Sequence, residues 1–267
     1  APAPQLAGVC DKGIRHARNE DGMALGIAGT GASVAVVCDG VTTAPQSDRA
    51  SLAAARAAAA LLLDAAPAAQ GSFAARIERW TALLGEACRS ANEVAIGVAR
   101  TLGDPPEPPS CTFAAGVVDP DGLVAFAWCG DSRVYWLPDD GNAVVSVVPS
   151  LGAAMIAEGM DPDEAARQPG FHTITRWLGA DSVDPHAEVV TLGPVGPGWL
   201  LVCSDGLWNY APDATALADR LAVARAEVGS FDPGALADAL VAWANGCGGH
   251  DNITVALARL RAVPADP

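Results

Sequence analysis

Residues 111–137 read CTFAAGVVDPDGLVAFAWCGDSRVYWL and contain three apolar segments separated by two short polar breaks. Asp121-Gly122 and Gly130-Asp131 form these breaks, and both residue types favour tight turns. Strands joined by such short turns pair antiparallel, because a parallel connection needs a crossover of a dozen or more residues. The stretch therefore predicts an antiparallel sheet in the middle of the chain.

Apolar periodicity and turn residues extend this interpretation in both directions. The further predicted strands are 6–10, 22–28, 32–38, 142–148, 187–192, 199–203 and 253–260. The predicted helices are 47–66, 72–102, 212–227 and 233–245, with a short helical segment and a loop between 150 and 180. Hairpin-linked strands outnumber β-α-β alternation, which favours antiparallel sheets with helices packed outside them. Trp80 lies at a helical spacing of apolar residues and is expected in the core.

The chain has 267 residues, of which 51% are hydrophobic, and this suits one large domain. We expect that domain to span residues 6–262, with a linker remnant at 1–5, a tail at 263–267 and another domain upstream. No signal peptide and no apolar run of about 18 residues is visible. The seven cysteines form no C-x-x-C pair and mostly lie in apolar runs, which indicates reduced thiols and a cytoplasmic protein without a membrane partner.

The net charge of -15 limits the possible partners. Such an acidic surface repels nucleic-acid backbones, so we expect no nucleic-acid partner. It also repels other anionic ligands, unless a bound cation reverses the charge locally.

Several acidic residues lie at the ends of apolar strands, beside glycine-rich corners. They are Glu20, Asp21, Asp39, Asp131, Asp205 and Asp251. Carboxylates brought together repel one another unless cations lie among them. Oxygen ligands alone suit Mg²⁺ or Mn²⁺, and two such ions about 3.5–4 Å apart can share a water and clamp phosphate oxygens.

The motifs around these acids resemble a known family. G-x-x-x-K-G with NED, then CDG, GDSR, SDGLW and DNITV occur in the order and approximate spacing of the metal-dependent protein serine/threonine phosphatases, the PPM family of type 2C. The resemblance covers about residues 6–260. It implies an α+β fold, a four-layer β-sandwich of two antiparallel sheets flanked by helices.

The resemblance also implies roles for the acids. Asp39 would bridge two ions, with the Gly40 carbonyl on one of them, and Asp205 and Asp251 would hold the other. Glu20 and Asp21 would act directly or through bound water, and Asp131 would share a third, weaker ion with Asp205.

The implied reaction is hydrolysis of phosphoserine and phosphothreonine in proteins by a water that bridges two Mn²⁺ or Mg²⁺ ions. Asp39, Asp205 and Asp251 would be the catalytic carboxylates. The implied partners are phosphorylated protein substrates, and a monomer is expected.

Three positions depart from the family pattern. The second motif continues as DGVTTAPQ, where relatives have a glycine-rich loop. His16 occupies the usual place of a phosphate-binding arginine, so Arg15, His16 and Arg18 are all candidates, and a solvated basic face is the alternative. Asn209 follows the SDGLW motif where relatives often have an acid.

These departures leave other functions open. The chain could be a pseudophosphatase, weak or inactive, that binds phosphoproteins and regulates them. It could also dephosphorylate a sigma-factor antagonist or a small molecule. The segment 150–180 resembles the family's flap and would shape the substrate groove, with Trp177 expected in the core.

Overall fold

The computed structural model describes residues 5–41, 45–68, 72–148, 150–151, 155–156, 158–165, 167–170 and 173–261. Its strands are β1 (Leu6–Asp11), β2 (Gly22–Ile27), β3 (Ser33–Cys38), β4 (Phe113–Asp119), β5 (Leu123–Cys129), β6 (Arg133–Pro138), β7 (Val144–Val145), β8 (Glu188–Leu192), β9 (Gly198–Cys203) and β10 (Ile253–Leu260). Its helices are α1 (Ser47–Asp64), α2 (Phe73–Thr101), α3 (Pro162–Ala165), α4 (Asp205–Trp208), α5 (Ala214–Val228) and α6 (Pro233–Gly246).

The strands form two five-stranded sheets in which every pair is antiparallel. One sheet has the order β1-β10-β9-β6-β7 and the other has the order β2-β3-β4-β5-β8. Helices α1 and α2 pack on the second sheet, and α5 and α6 pack on the first. The predicted α+β sandwich of four layers is confirmed.

The inner strands read as continuous apolar runs because both of their faces are buried. In β9, Trp199, Leu201 and Cys203 face α5 and α6. Leu200 and Val202, which alternate with them, pack between the two sheets. The same alternation in β3 and β4 divides their side chains between the helix layer and the layer between the sheets.

The helices begin and end at residues with suitable chemistry. Ser72, Asp213 and Asp232 cap α2, α5 and α6, each by accepting a backbone N–H from the first turn. Trp80, which belongs to α2, is fully buried, as predicted. All seven cysteines are free and five are buried. None of the helices in the described residues is long and apolar enough to cross a membrane.

Two short elements differ from the sequence prediction. The strand expected at 142–148 is only the two-residue edge strand β7, because the Ser146 hydroxyl takes the bond from the Val134 N–H at 3.0 Å, in place of a backbone carbonyl. The one-turn helix α4 was not predicted. It begins at Asp205, directly after Ser204.

Antiparallel pairing determines where the acidic motifs meet. β3, β5 and β9 end at the side of the sandwich where β2, β6 and β10 begin, as the pairs Gly22 with Cys38 and Val255 with Cys203 show. Residues that follow the first three strands or precede the other three therefore lie at one end of the molecule.

Candidate functional site

Asp21 lies just before β2 and is 8% exposed. Its Oδ2 accepts hydrogen bonds from the hydroxyls of Ser204 at 2.7 Å and Thr254 at 2.6 Å, which belong to the opposite sheet region. Burial raises the pKa of Asp21 to about 6, although these two hydrogen bonds favour the charged form. Asp21 therefore joins the two halves of the sandwich at its acidic end.

Asp39 directly follows β3. Its backbone N–H donates to the Thr112 hydroxyl at 2.9 Å, and its carbonyl accepts the Thr112 N–H at 2.8 Å. Burial raises the pKa of the Asp39 carboxyl well above its ordinary value, and the charges of Asp21, Asp205, Asp131 and Asp251 raise it further.

The glycine after Asp39 is required by close packing. A Cβ at Gly40 would lie 2.6 Å from the Glu20 carbonyl oxygen, so only glycine lets the two segments approach. The Gly40 N–H donates to that carbonyl at 3.1 Å. The two Asp-containing segments at 20–21 and 39–40 are thereby fixed side by side.

Asp205 is the first residue of α4. The pKa of Asp205 is raised to about 7, mainly by burial and further by the charges of Asp131 and Asp251. Asn209 donates to Asp205 Oδ2 at 3.2 Å from the end of the same turn. Gly206 packs against the backbone of Asn252, because a Cβ there would lie 2.0 Å from the Asn252 carbonyl oxygen.

Asp131 lies in the turn between β5 and β6. Burial raises its pKa, while its own backbone N–H and the charge of Arg133 act in the opposite direction. The Trp208 indole N–H donates to the Asp131 carbonyl at 2.8 Å, and the Arg133 guanidinium stacks 3.7 Å from the centre of the Trp208 ring. The GDSR and SDGLW motifs are thus packed together beside a cleft of about 590 Å³ that Asp131 and Asp205 also line.

Asp251 precedes β10 and lies 3.3 Å from the Nε2 of His16. The next residue, Asn252, organises the segment that carries His16. Its side chain donates to the carbonyls of Lys12 at 2.8 Å and Arg18 at 2.9 Å, and accepts the Glu20 N–H at 2.7 Å. Arg15 and Arg18 are exposed in this segment.

The remaining candidates are placed as follows. Glu20 contacts its neighbours through its backbone, since its carbonyl also accepts the Ser51 hydroxyl at 2.6 Å. Thr42 and Thr43 of the altered second motif lie outside the described residues. Trp177 was expected in the core, but it is half-buried and lines a groove, because its indole N–H is turned towards exposed Asp181.

The donor set fits a divalent cation by its chemistry. Buried Asp21 Oδ1 and Asp205 Oδ1 have no hydrogen-bond partner within the part of the chain that the structure describes. Such carboxylate oxygens are ligands that Mg²⁺ and Mn²⁺ prefer. In those same residues, no three carboxylate, imidazole or thiolate groups already have the geometry of a metal site. The acids share one end of the sandwich without surrounding a common point.

The polar residues that orient these acids were not predicted from the sequence. Ser204, Asn252 and Thr254 are buried and form the contacts of Asp21 and of the 12–20 segment. A signal was present, since each lies beside or within the SDGLW and DNITV motifs at the end of an otherwise apolar strand. Their partners, however, are far away in sequence, since Asn252 and Lys12 are 240 positions apart.

Solved structures with this architecture include several bacterial enzymes. The Mycobacterium tuberculosis serine/threonine phosphatase PstP/Ppp is 23% identical, with a TM-score of 0.72 over 96% of this chain and 98% of that chain. The catalytic domain of PstP in complex with two manganese ions is 24% identical, with a TM-score of 0.71 over 96% and 97%. The phosphatase MsPP from Mycobacterium smegmatis, in complex with cacodylate, is 26% identical, with a TM-score of 0.64 over 97% and 100%.

The fold is that of the protein serine/threonine phosphatases. The family model described as protein phosphatase 2C matches residues 14–243, so the chain belongs to the protein phosphatase 2C family. No curated protein sequence matches the chain.

Proposed function

We propose that this protein hydrolyses phosphoserine and phosphothreonine in protein substrates with the help of two divalent cations, Mn²⁺ or Mg²⁺. The observation that carries the proposal is the set of acids at one end of the sandwich, where the buried oxygens Asp21 Oδ1 and Asp205 Oδ1 are unpartnered in the described residues. An apolar environment and mutual repulsion disfavour these charges, and cations would stabilise them.

Asp39, Asp205 and Asp251 would be the principal ligands, with Glu20, Asp21 and the Gly40 carbonyl completing the pair and Asp131 serving a third ion. When bound, the cations supply an activated water and neutralise phosphate charge. A structural relative, MsPP, binds cacodylate, which is a tetrahedral oxyanion like phosphate.

The chain's own residues would orient the acids. Ser204 and Thr254 occupy one oxygen of Asp21, and Asn209 occupies one oxygen of Asp205, so in each case the other oxygen is left for a ligand. Asn252 holds the 12–20 segment over the site. His16, Arg15 and Arg18 on that segment would contact the phosphate. The acidic surface disfavours nucleic acid, and we expect a monomer.

A second candidate function is a regulatory pseudophosphatase. His16 contacts Asp251 at 3.3 Å, so a residue in the phosphate-binding position is engaged with a proposed metal ligand. Such a protein would bind phosphopeptides and metal without turnover.

The experiment is hydrolysis of para-nitrophenyl phosphate and of a phosphothreonine peptide, with Mn²⁺, with Mg²⁺ and with chelator. We expect turnover that depends on metal and is abolished by Asp39→Asn, while Asp219→Asn on the exposed surface of α5 leaves it unchanged. Full activity of Asp39→Asn would contradict the assignment. Metal binding without turnover on either substrate would favour the pseudophosphatase.

A further inference from the structure

A groove of about 380 Å³ lies between the proline-rich loop before β4 and the segment before β8. Pro106, Pro108 and Ile174 give it apolar walls, and the half-buried Trp177 indole also lines it. Two exposed carboxylates, Glu107 and Asp181, lie at the same groove. None of the described residues that line it is basic.

The groove is connected rigidly to the proposed catalytic site. Val41 lines it and lies two residues after Asp39. The Val41 N–H donates to the Ser110 carbonyl at 3.0 Å, and Cys111 exchanges backbone hydrogen bonds of 2.9 and 2.7 Å with Leu178. An extended peptide advances about 3.3 Å per residue. Because the groove residue Val41 is only two residues from Asp39, a substrate side chain about two residues from the phosphorylated residue would reach the groove.

Trp177 and Asp181 form a fixed pair in this groove. The indole N–H donates to Asp181 Oδ1 at 3.0 Å, and Oδ2 of the same carboxylate has no hydrogen-bond partner among the described residues. The nearby cation Arg176 is already engaged with Glu188 at 2.6 Å and Asp184 at 3.3 Å. The negative charge of the groove is therefore available to a cation from outside.

We propose that this groove binds an arginine side chain of the substrate, about two residues from the phosphorylated residue. The proposal rests on the proposed phosphatase function and adds a substrate preference to it. Arginine matches all parts of the lining. Its aliphatic stem can pack on the prolines and Ile174, and its planar guanidinium can stack on Trp177 and bind carboxylates. Lysine offers a more strongly hydrated point charge, and an aliphatic residue leaves both carboxylates unused.

The test uses phosphothreonine peptides that carry arginine, citrulline, norleucine or glutamate two or three residues before or after the phosphorylated residue. Citrulline matches arginine in shape but is neutral. At the best position we expect about tenfold higher kcat/KM for arginine than for citrulline, mainly through KM, as expected for a cation–π contact combined with an exposed ion pair. In the double variant Glu107→Gln with Asp181→Asn, this preference should fall below about twofold. Glu78→Gln, the same kind of change on the exposed surface of α2 and outside the groove, should retain it.

Hydrolysis of para-nitrophenyl phosphate separates the groove from the chemistry, since this substrate does not reach it, and the double variant should keep its wild-type rate. Equal use of arginine and citrulline peptides by an active wild-type protein would overturn the proposal, and so would an equal or greater preference for norleucine.

If the wild type hydrolyses nothing, the proposed function fails, but fluorescence anisotropy of the same labelled peptides still tests the groove. Tighter binding of the arginine peptide, lost in the double variant, supports it, and equal binding overturns it.

Discussion

Replacing Asp205 with asparagine should make the metal-free protein more stable at alkaline pH. Burial and neighbouring charges raise the pKa of Asp205 from its ordinary value of 3.8 to about 7 in the folded state. Over the interval between these values the folded state binds more protons than the unfolded state, so the free energy of unfolding falls as the pH rises. Asparagine has no proton to lose, and Asp205→Asn escapes this loss.

The difference in pKa sets the magnitude. Asp205 lowers the free energy of unfolding by about 4 kcal/mol at pH 8, where the carboxylate is ionised in both states, and by less than about 1 kcal/mol at pH 4. The stabilisation of Asp205→Asn over wild type should therefore grow by about 3 kcal/mol between these two pH values.

Urea denaturation with chelator, at pH 4 and at pH 8, measures this directly. Asp219→Asn is the control, because it removes one acid from an exposed position on α5. Added Mn²⁺ should reverse the order at pH 8, since wild type then gains binding free energy that the variant lacks. If Asp205→Asn and the control changed the free energy of unfolding equally at pH 8, the reasoning would be refuted.

Three further predictions concern the residues around the acids. Asn252→Ala should lower the free energy of unfolding by about 2–4 kcal/mol in urea denaturation, because it leaves three backbone groups without their buried partner; a loss below about 1 kcal/mol would contradict this. Gly206→Ala should lower the free energy of unfolding by about 3 kcal/mol or more and abolish turnover. Gly97→Ala in α2, where a Cβ has no neighbour within 4 Å, should instead raise the free energy of unfolding by about 0.5–1 kcal/mol. Equal thermal midpoints of the two variants would refute the packing argument. Thr254→Val should weaken Mn²⁺ affinity about tenfold, measured by metal titration of the thermal midpoint, because the hydroxyl no longer orients Asp21; unchanged affinity would show that this hydrogen bond is dispensable.

The order of strands and helices could be predicted because burial leaves a direct pattern in the sequence. β4, β5 and β9 are buried on both faces and therefore appear as uninterrupted apolar runs. α4 could not be predicted in this way. It is only one turn long, and its conformation depends on Gly206 packing against Asn252, the residue before β10.

The placement of the candidate acids at one end of the sandwich was also predictable, because each lies beside a recognisable strand. Their surroundings were not. The bond from Ser204 to Asp21 joins residues 183 positions apart, and only the pairing of whole strands brings them together. The groove has the same origin, since Trp177 reaches the proline-rich loop through the pairing of Leu178 with Cys111. This long-range pairing leaves no pattern in the sequence, and a core position was therefore predicted for Trp177.

The proposed function and the groove together explain how so acidic a protein could act on an anion. With a net charge of -15, the chain repels a phosphate group at a distance and attracts it only where cations neutralise the carboxylates. A basic residue beside the phosphorylated one weakens this long-range repulsion, because its positive charge offsets about half of the phosphate charge. Glu107 and Asp181 then bind that residue close to the site, and because they lie in the groove rather than among the proposed metal ligands, they do so without competing for the cations. The same excess of acid that disfavours nucleic acid would thereby select phosphoproteins with basic flanks.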